Sequence, residues 1–273
     1  MLCNQKRGQI ALFIIIAILI VVAVALVFIF KPKFLGFGLG DARVRLEGQI
    51  EPIKTAVSEC SEEVAMNAVK VLGLNSGYYS ASYLDKIEYG GFSIPVVLKK
   101  ENSVRINYLP SLTDIEQNFV VYMENQGFDE LDTCLNDFSF AKRVVNVNPN
   151  KENRKIAFEI RENSLVIIYD WNIIISATVD GKELPINVKP RSTTINGIPF
   201  HQMYKFASEA VNTEAQQIRF EGLVFDNYLR NFGFGLRDVD ITKQNYPTSE
   251  QTVYILKSKT ENPIYFNFAI NHE

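Results

Sequence analysis

Twenty-one consecutive apolar side chains, from Ile10 to Phe30, constrain this chain more than anything else in it. At about 1.5 Å rise per residue such a run makes a helix about 31 Å long, which matches a bilayer's hydrocarbon core of about 30 Å. It has no polar face, so as a core helix of a soluble domain it would need protein on every side. It also exceeds the apolar stretch of about 7 to 15 residues in a cleaved secretory signal, and it lacks the small-residue cleavage site. The expectation is a retained transmembrane helix over 10–30 behind a short basic cytoplasmic tail, 1–9.

Basic residues flank the run on both sides, Lys6 and Arg7 before it and Lys31, Lys33, Arg43 and Arg45 after it. The positive-inside count therefore does not fix orientation. The brevity of the tail and the pairing potential of two later cysteines favour an N-terminus inside and the remaining mass outside. Residues 1–33 hold four basic side chains and no acid, which leaves 24 basic against 31 acidic residues beyond them, a net of about −7. A mildly acidic domain with scattered basic residues has no electrostatic footprint for nucleic acid, and none is expected as a partner. Cys3, Cys60 and Cys134 fit no zinc spacing and two histidines are too few for a histidine-rich site, so neither metal nor cofactor is expected.

Pro32 and the glycines at 36, 38 and 40 read as a flexible linker over 31–45. From Gln49 to Gly73, apolar residues recur every three or four positions and place Cys60 on the buried stripe of a helix. A second helix opens at Pro110-Ser111, with Ser111 as cap and Asp114 three residues on. Gly127 is expected to interrupt it, and a further turn or two over Glu130 to Phe138 puts Leu131, Cys134, Leu135 and Phe138 on one face. Packing the two cysteine-bearing stripes together predicts a Cys60–Cys134 disulfide; the alternative is two buried thiols. The bond would close a loop of about 75 residues and contribute about 4 kcal/mol.

Between these helices, Gly90 to Leu98 reads as a short strand or hairpin that Pro95 confines to a sheet edge. After Ala141 the period becomes two. Strands are expected at 143–147, 155–161, 164–170, 171–179 and 182–190, the last two joined by the hairpin signal Asp180-Gly181. A helix at about 199–218, a short helix near 223–230 and strands near 239, 252–257 and 264–270 complete the chain. The fold class is α+β: an N-terminal transmembrane helix, then an extracytoplasmic domain of paired helices and an antiparallel sheet. Its parts are a helical subdomain with a small hairpin, 46–141, and an α+β sheet subdomain, 142–273.

Two resemblances follow from these residues. Lys6-Arg7-Gly8-Gln9-Ile10-Ala11-Leu12-Phe13 resembles the archaeal type IV pilin (class III) signal. This implies a processing site between Gly8 and Gln9 and retention of the apolar helix, although Phe13 stands where that family carries a filament-core glutamate. The whole chain is similar to an uncharacterised single-pass membrane family of small-genome (DPANN-type) archaea. The matching residues are the anchor, Glu59-Cys60, Leu72-Gly73, Gly77-Tyr78-Tyr79, Ile94-Pro95, Pro110-Ser-Leu112, Cys134-Leu135 and Pro263 to Ala269, while Asn75-Ser76 replaces a Gln-Gly. That likeness implies the anchor, paired cysteines and an α+β domain, and no activity.

No catalytic motif stands out. His201, at a helix start, reads as an exposed or capping residue, and His272 is penultimate. Glu62-Glu63 and Asp238 with Asp240 read as solvated faces. The one excess is aromatic: Tyr78, Tyr79, Tyr83, Tyr89, Phe92 and Tyr108 cluster between the cysteine-bearing helices and are the candidate partner surface. The leading expectation is a membrane-anchored envelope protein whose external domain contacts another envelope protein or a second copy, as in a pilin-like subunit. The alternative is a membrane-anchored ectoenzyme hydrolysing envelope polymers.

Overall fold

The computed structural model describes residues 37–216 and 238–273. The apolar run 10–30, the Gly8/Gln9 junction and the short helix expected near 223–230 lie outside the described residues. Among the described residues no helix is long and apolar enough to cross a membrane. The expected architecture of a transmembrane helix followed by an antiparallel α+β domain is therefore corrected on two counts. The long helix that is present carries charges along its length, and the principal sheet is mixed.

That helix, α1, spans Phe37–Leu74, so the flexible linker predicted over 31–45 is corrected as well over its described part, 37–45. Each helical glycine costs about 1 kcal/mol relative to alanine. Against that, Ala42, Leu46, Ile53 and Val57 recur at spacings of four and seven and are buried to 1% exposure or less, and a buried leucine contributes about 1.5–3 kcal/mol. Ion pairs Arg43–Glu47 (2.8 Å) and Arg45–Asp41 (3.2 Å) join neighbouring turns. Pro52 lies inside the helix; the residue four before it, where a proline ring crowds the backbone, is Gly48, with open space at its Cβ position.

The first strands are β1 (Lys86–Tyr89), β2 (Phe92–Glu101) and β3 (Val104–Asn107). Helix α2 (Leu112–Tyr122) passes through a π-helical turn, Met123–Gly127, into α3 (Phe128–Leu135) and then the short α4 (Ser139–Lys142). The predicted break at Gly127 thus takes the form of a wide turn. A Cβ on Gly127 would lie 2.6 Å from the Met123 sulfur. Ser111 caps α2 as expected: its hydroxyl accepts from the Asp114 N–H, and the Asp114 carboxylate accepts from the Ser111 N–H. Ser111→Ala is expected to lower stability by about 1 kcal/mol in urea denaturation; an unchanged midpoint would show that the cap contributes nothing.

Strands β4 (Asn146–Asn148), β5 (Lys155–Arg161), β6 (Ser164–Asp170), β7 (Ile173–Val179), β8 (Lys182–Val188) and β9 (Thr193–Asn196) form two three-stranded sheets, ordered β4-β7-β8 and β5-β6-β9. The hairpin between β7 and β8 turns through Asp180 (φ +49°) and Gly181 (φ +76°), both left-handed as an Asp-Gly hairpin turn requires. Helix α5 (Phe200–Ala215) leads toward β10 (Val239–Asn245), β11 (Gln251–Ser258) and β12 (Tyr265–Asn271).

These last strands and the first three make one six-stranded sheet, ordered β1-β2-β12-β11-β10 with β3 also on β2. Strands from 46–141 and from 142–273 therefore share a sheet. Their junction, β2 with β12, is parallel and carries a bulge beside Ala269 and Ile270. Pro95 is not on an edge strand: β2 lies between β12 and the β1/β3 side. Its missing N–H is tolerated because it sits where the partner of β2 changes, after the Lys86–Pro95 pair and before the Leu98–Asn107 pair.

Alternation along β11 and β12 gives the sheet two buried faces. Tyr254, Leu256, Phe266 and Phe268 belong to the main core with α1 and α5, while Val253 and Ala269 form a second small core with Ile87, Ile94 and Val96. Tyr89 of β1 and Tyr246, next to β10, are in ring contact at 5.1 Å although their strands stand at opposite ends of the order. The sheet therefore curls until its edges approach, and the second core fills the curl. At the end of α1 the fit to this sheet is close: a Cβ on Gly73 would lie 1.8 Å from the Tyr265 carbonyl oxygen.

Candidate functional site

The six aromatic residues predicted as one surface do not form one: Tyr89 and Phe92 lie on β1 and β2, whereas Tyr78, Tyr79 and Tyr83 lie between α1 and β1 and Tyr108 follows β3. Tyr78, Tyr83 and Tyr108 gather beside the start of α2. Tyr78 and Tyr83 meet edge to face at 5.6 Å, and the Tyr78 hydroxyl donates to the Tyr108 carbonyl. Tyr89 and Phe92 stand instead at the mouth of the curl. Tyr79 joins neither group; it packs inward, edge to face on buried Tyr122.

The first group borders an open groove of about 510 Å³. Its polar lining is Asn107, Asp114, Gln117 and Asn118, with Leu109 and Pro110 behind. The Tyr108 hydroxyl donates to Glu101 (3.1 Å), and the Lys99 ammonium lies 5.5 Å from the ring centre. Asn107 Oδ1 accepts from the Leu109 N–H (2.8 Å), its Nδ2 donates to Asn212 (3.2 Å), and Asn118 Nδ2 donates to the Gly77 carbonyl (3.1 Å). Burial is the main cause that pushes the Tyr78 and Tyr108 hydroxyls above the usual phenol range, and hydrogen bonds from Ser111 hold Asp114 below the usual carboxylate range. At neutral pH the two phenols are protonated and the carboxylate ionised, a set suited to holding a ligand rather than to shuttling protons.

At the mouth of the curl the sequence reading found two of four rings. Tyr246 and Tyr265, more than 150 positions further along the chain, complete the set: Tyr89 meets Tyr246, and Phe92 meets Tyr265 at 5.2 Å. Tyr246 is 41% exposed. Two positions along β12 from Tyr265, on the same face, lies Asn267. It is fully buried, and neither atom of its side-chain amide has a hydrogen-bond partner among the described residues. Such a group costs about 1–3 kcal/mol.

Cys60 of α1 and Cys134 of α3 form the predicted disulfide, with their Cα atoms 5.7 Å apart. Asn67 of α1 donates to Glu130 of α3 (3.2 Å), and so does the Tyr122 hydroxyl (2.8 Å).

Neither histidine sits as a freely exposed residue. His201 is half-buried on α5, with its pKa lowered by burial and then by Lys205. His272 is held inside the fold. Its backbone N–H donates to the Glu250 carbonyl, Nδ1 lies 3.4 Å from Glu214 Oε2, and Nε2 lies 3.2 Å from the Thr252 hydroxyl. Hydroxyl, imidazole and carboxylate thus stand in the order of a catalytic triad. Thr252, however, is 4% exposed and its hydroxyl also donates to Asn245 Oδ1 (3.2 Å), an arrangement that locks the end of β12 rather than presenting a nucleophile.

Carboxylates give no poised acid. Glu51, Glu101, Asp114, Asp137 and Glu159, the shifted ones among the described residues, are all shifted down, each chiefly by a side-chain hydrogen bond. Among the described residues no three His, Cys, Asp or Glu side chains converge as metal ligands do. A second cleft, about 390 Å³, lies between Val120, Met123 and Phe128 on one side and Ile156 and Ile168 on the other. The arginine at its rim, Arg154, is already committed to Asp132 (2.6 and 3.2 Å) beneath the Phe128 ring. Comparison of the chain with protein-family models, curated proteins and solved structures finds no match in any of the three.

Proposed function

We propose that this chain is an envelope protein held at a lipid bilayer by the apolar run 10–30 of its sequence, with a non-enzymatic domain that contacts another protein outside the cytoplasm. The reading of compartment rests on the Cys60–Cys134 disulfide, a bond that persists in oxidising surroundings. The reading of function rests on the mouth of the curl. Four aromatic rings meet there in two pairs, Tyr89 with Tyr246 and Phe92 with Tyr265, and two positions along β12 from Tyr265, on the same face, Asn267 carries a buried amide with no partner among the described residues. Clustered aromatics on a rigid support are the usual anchors of protein contacts, and a buried amide kept without a partner on the same face is a cost in stability that packing alone does not explain. The resemblance around Gly8 and Gln9 favours a pilin-like subunit, whose partner is a second copy or a neighbouring envelope protein.

A photo-crosslinking side chain at Tyr246, activated in native membranes, is expected to give an adduct of discrete mass, with none from the same group at Val104, which is 62% exposed on β3. Equal or diffuse labelling at both positions would refute the contact. Asn267→Leu, nearly isosteric, is expected to raise stability by about 1 kcal/mol and to weaken the Tyr246 adduct; a destabilised variant with the adduct intact would assign Asn267 to packing alone. Mass spectrometry of the N-terminal peptide tests the pilin-like reading, which needs a chain beginning at Gln9 and fails for one beginning at Met1.

A further inference from the structure

The groove beside Tyr78 and Tyr108 is separate from the mouth of the curl and has different chemistry. We infer that it is a binding site for a neutral oligosaccharide. Three observations carry this. First, the orientations of the two half-buried rings are fixed before any ligand arrives, Tyr78 by its bond to the Tyr108 carbonyl and Tyr108 by its bond to Glu101. Fixed aromatic faces suit the C–H faces of sugar rings, since their ordering cost is already met within the fold.

Second, the polar lining consists of three amides and one carboxylate, Asn107, Asn118, Gln117 and Asp114. Nδ2 of Asn107 and of Asn118 each donates one bond within the protein, which fixes both amides in the lining. The whole Gln117 amide and the Asp114 oxygen not bonded to Ser111 supply donors and acceptors in planar pairs. Vicinal hydroxyls, which both donate and accept, are the matching chemistry. Third, the lining contains no cation among the described residues, and nearby Lys99 is paired with Asp85 (3.1 Å) and Glu101 (2.8 Å). A polyanion such as nucleic acid or a sulfated glycan is therefore disfavoured. The volume, about 510 Å³, lies within the range of small-ligand sites.

The test is calorimetric titration of the full chain in detergent with cellohexaose, laminarihexaose, maltohexaose and chitohexaose, with a heparin hexasaccharide as the anionic control. At least one neutral hexasaccharide is expected to bind. Gln117→Ala, on an exposed side chain, and Tyr108→Leu are each expected to weaken that binding about tenfold, and the Tyr246 adduct is expected to be unchanged in both. Where Tyr108→Leu lowers the melting temperature, Gln117→Ala decides alone. Failure of all four neutral sugars to bind, binding of heparin only, or neutral-sugar binding untouched by Gln117→Ala would each overturn the inference. None of these outcomes bears on the contact at the curl.

Discussion

Replacing both Cys60 and Cys134 by serine is expected to remove about 4 kcal/mol of stability, a large fraction of the roughly 5–15 kcal/mol that holds a typical domain folded. The two cysteines are 74 positions apart, and the bond excludes from the unfolded chain every conformation in which α1 and the 128–135 helix are far apart. The native contacts between these helices do not depend on it: Leu131 and Leu135 remain buried, and Glu130 keeps its bonds to Asn67 and Tyr122. The folded variant should therefore retain its far-ultraviolet spectrum while its guanidinium midpoint falls. Reduction of the native protein should give the same shift. Coincident midpoints with and without reductant would show that the constraint is worth little in this chain.

A loss of similar size, about 3–5 kcal/mol, is expected for Phe119→Ala. Phe119 is fully buried on α2, and its ring stacks on Phe158 of β5 at 4.7 Å and meets Phe200 of α5 at 6.4 Å. Phe200 in turn meets Phe266 of β12 at 5.4 Å. This file of rings joins the β5-β6-β9 sheet to the six-stranded sheet through two helices, so the cavity left by truncation cannot be closed by moving one element alone. Phe119→Leu should cost markedly less, and Val104→Ala, on an exposed site, should stay within about 0.5 kcal/mol. If Phe119→Ala costs no more than Val104→Ala, the rings do not couple the two sheets.

The local devices were legible in the sequence because each depends on neighbours a few positions away. The bounds of β5 and β6 follow from alternation with core-facing Ile156, Phe158 and Ile160, the β7–β8 turn from Asp180-Gly181, and the start of α2 from Ser111 and Asp114. The disulfide was legible one level higher, since two apolar helical stripes that each carry a cysteine have reason to face one another. What escaped is non-local. Pro95 signals an edge only until β12, about 170 positions later, pairs along the far side of β2. The glycines at 38 and 40 signal a linker only until the burial of Ala42 and Leu46 is counted against them. Tyr246 meets Tyr89 only because the sheet curls, Tyr265 meets Phe92 only because β12 pairs with β2, and His272 lies against Glu214, which nothing near it in the sequence announces.

The parallel pairing of β2 with β12 also bears on when this protein becomes itself during synthesis. Once synthesis has moved well past residue 135, both cysteines and both helices that carry them have left the ribosome, so that half of the molecule can be bonded early. The principal sheet cannot close at that point, because the central neighbour of β2 is Tyr265–Asn271. Until then the apolar edge of Ile94 to Leu98 has no lasting partner, and such edges invite pairing with other chains. A chain in this condition depends on prompt completion or on an escort that shields that strand, and crowding of half-made copies is the circumstance in which it would aggregate.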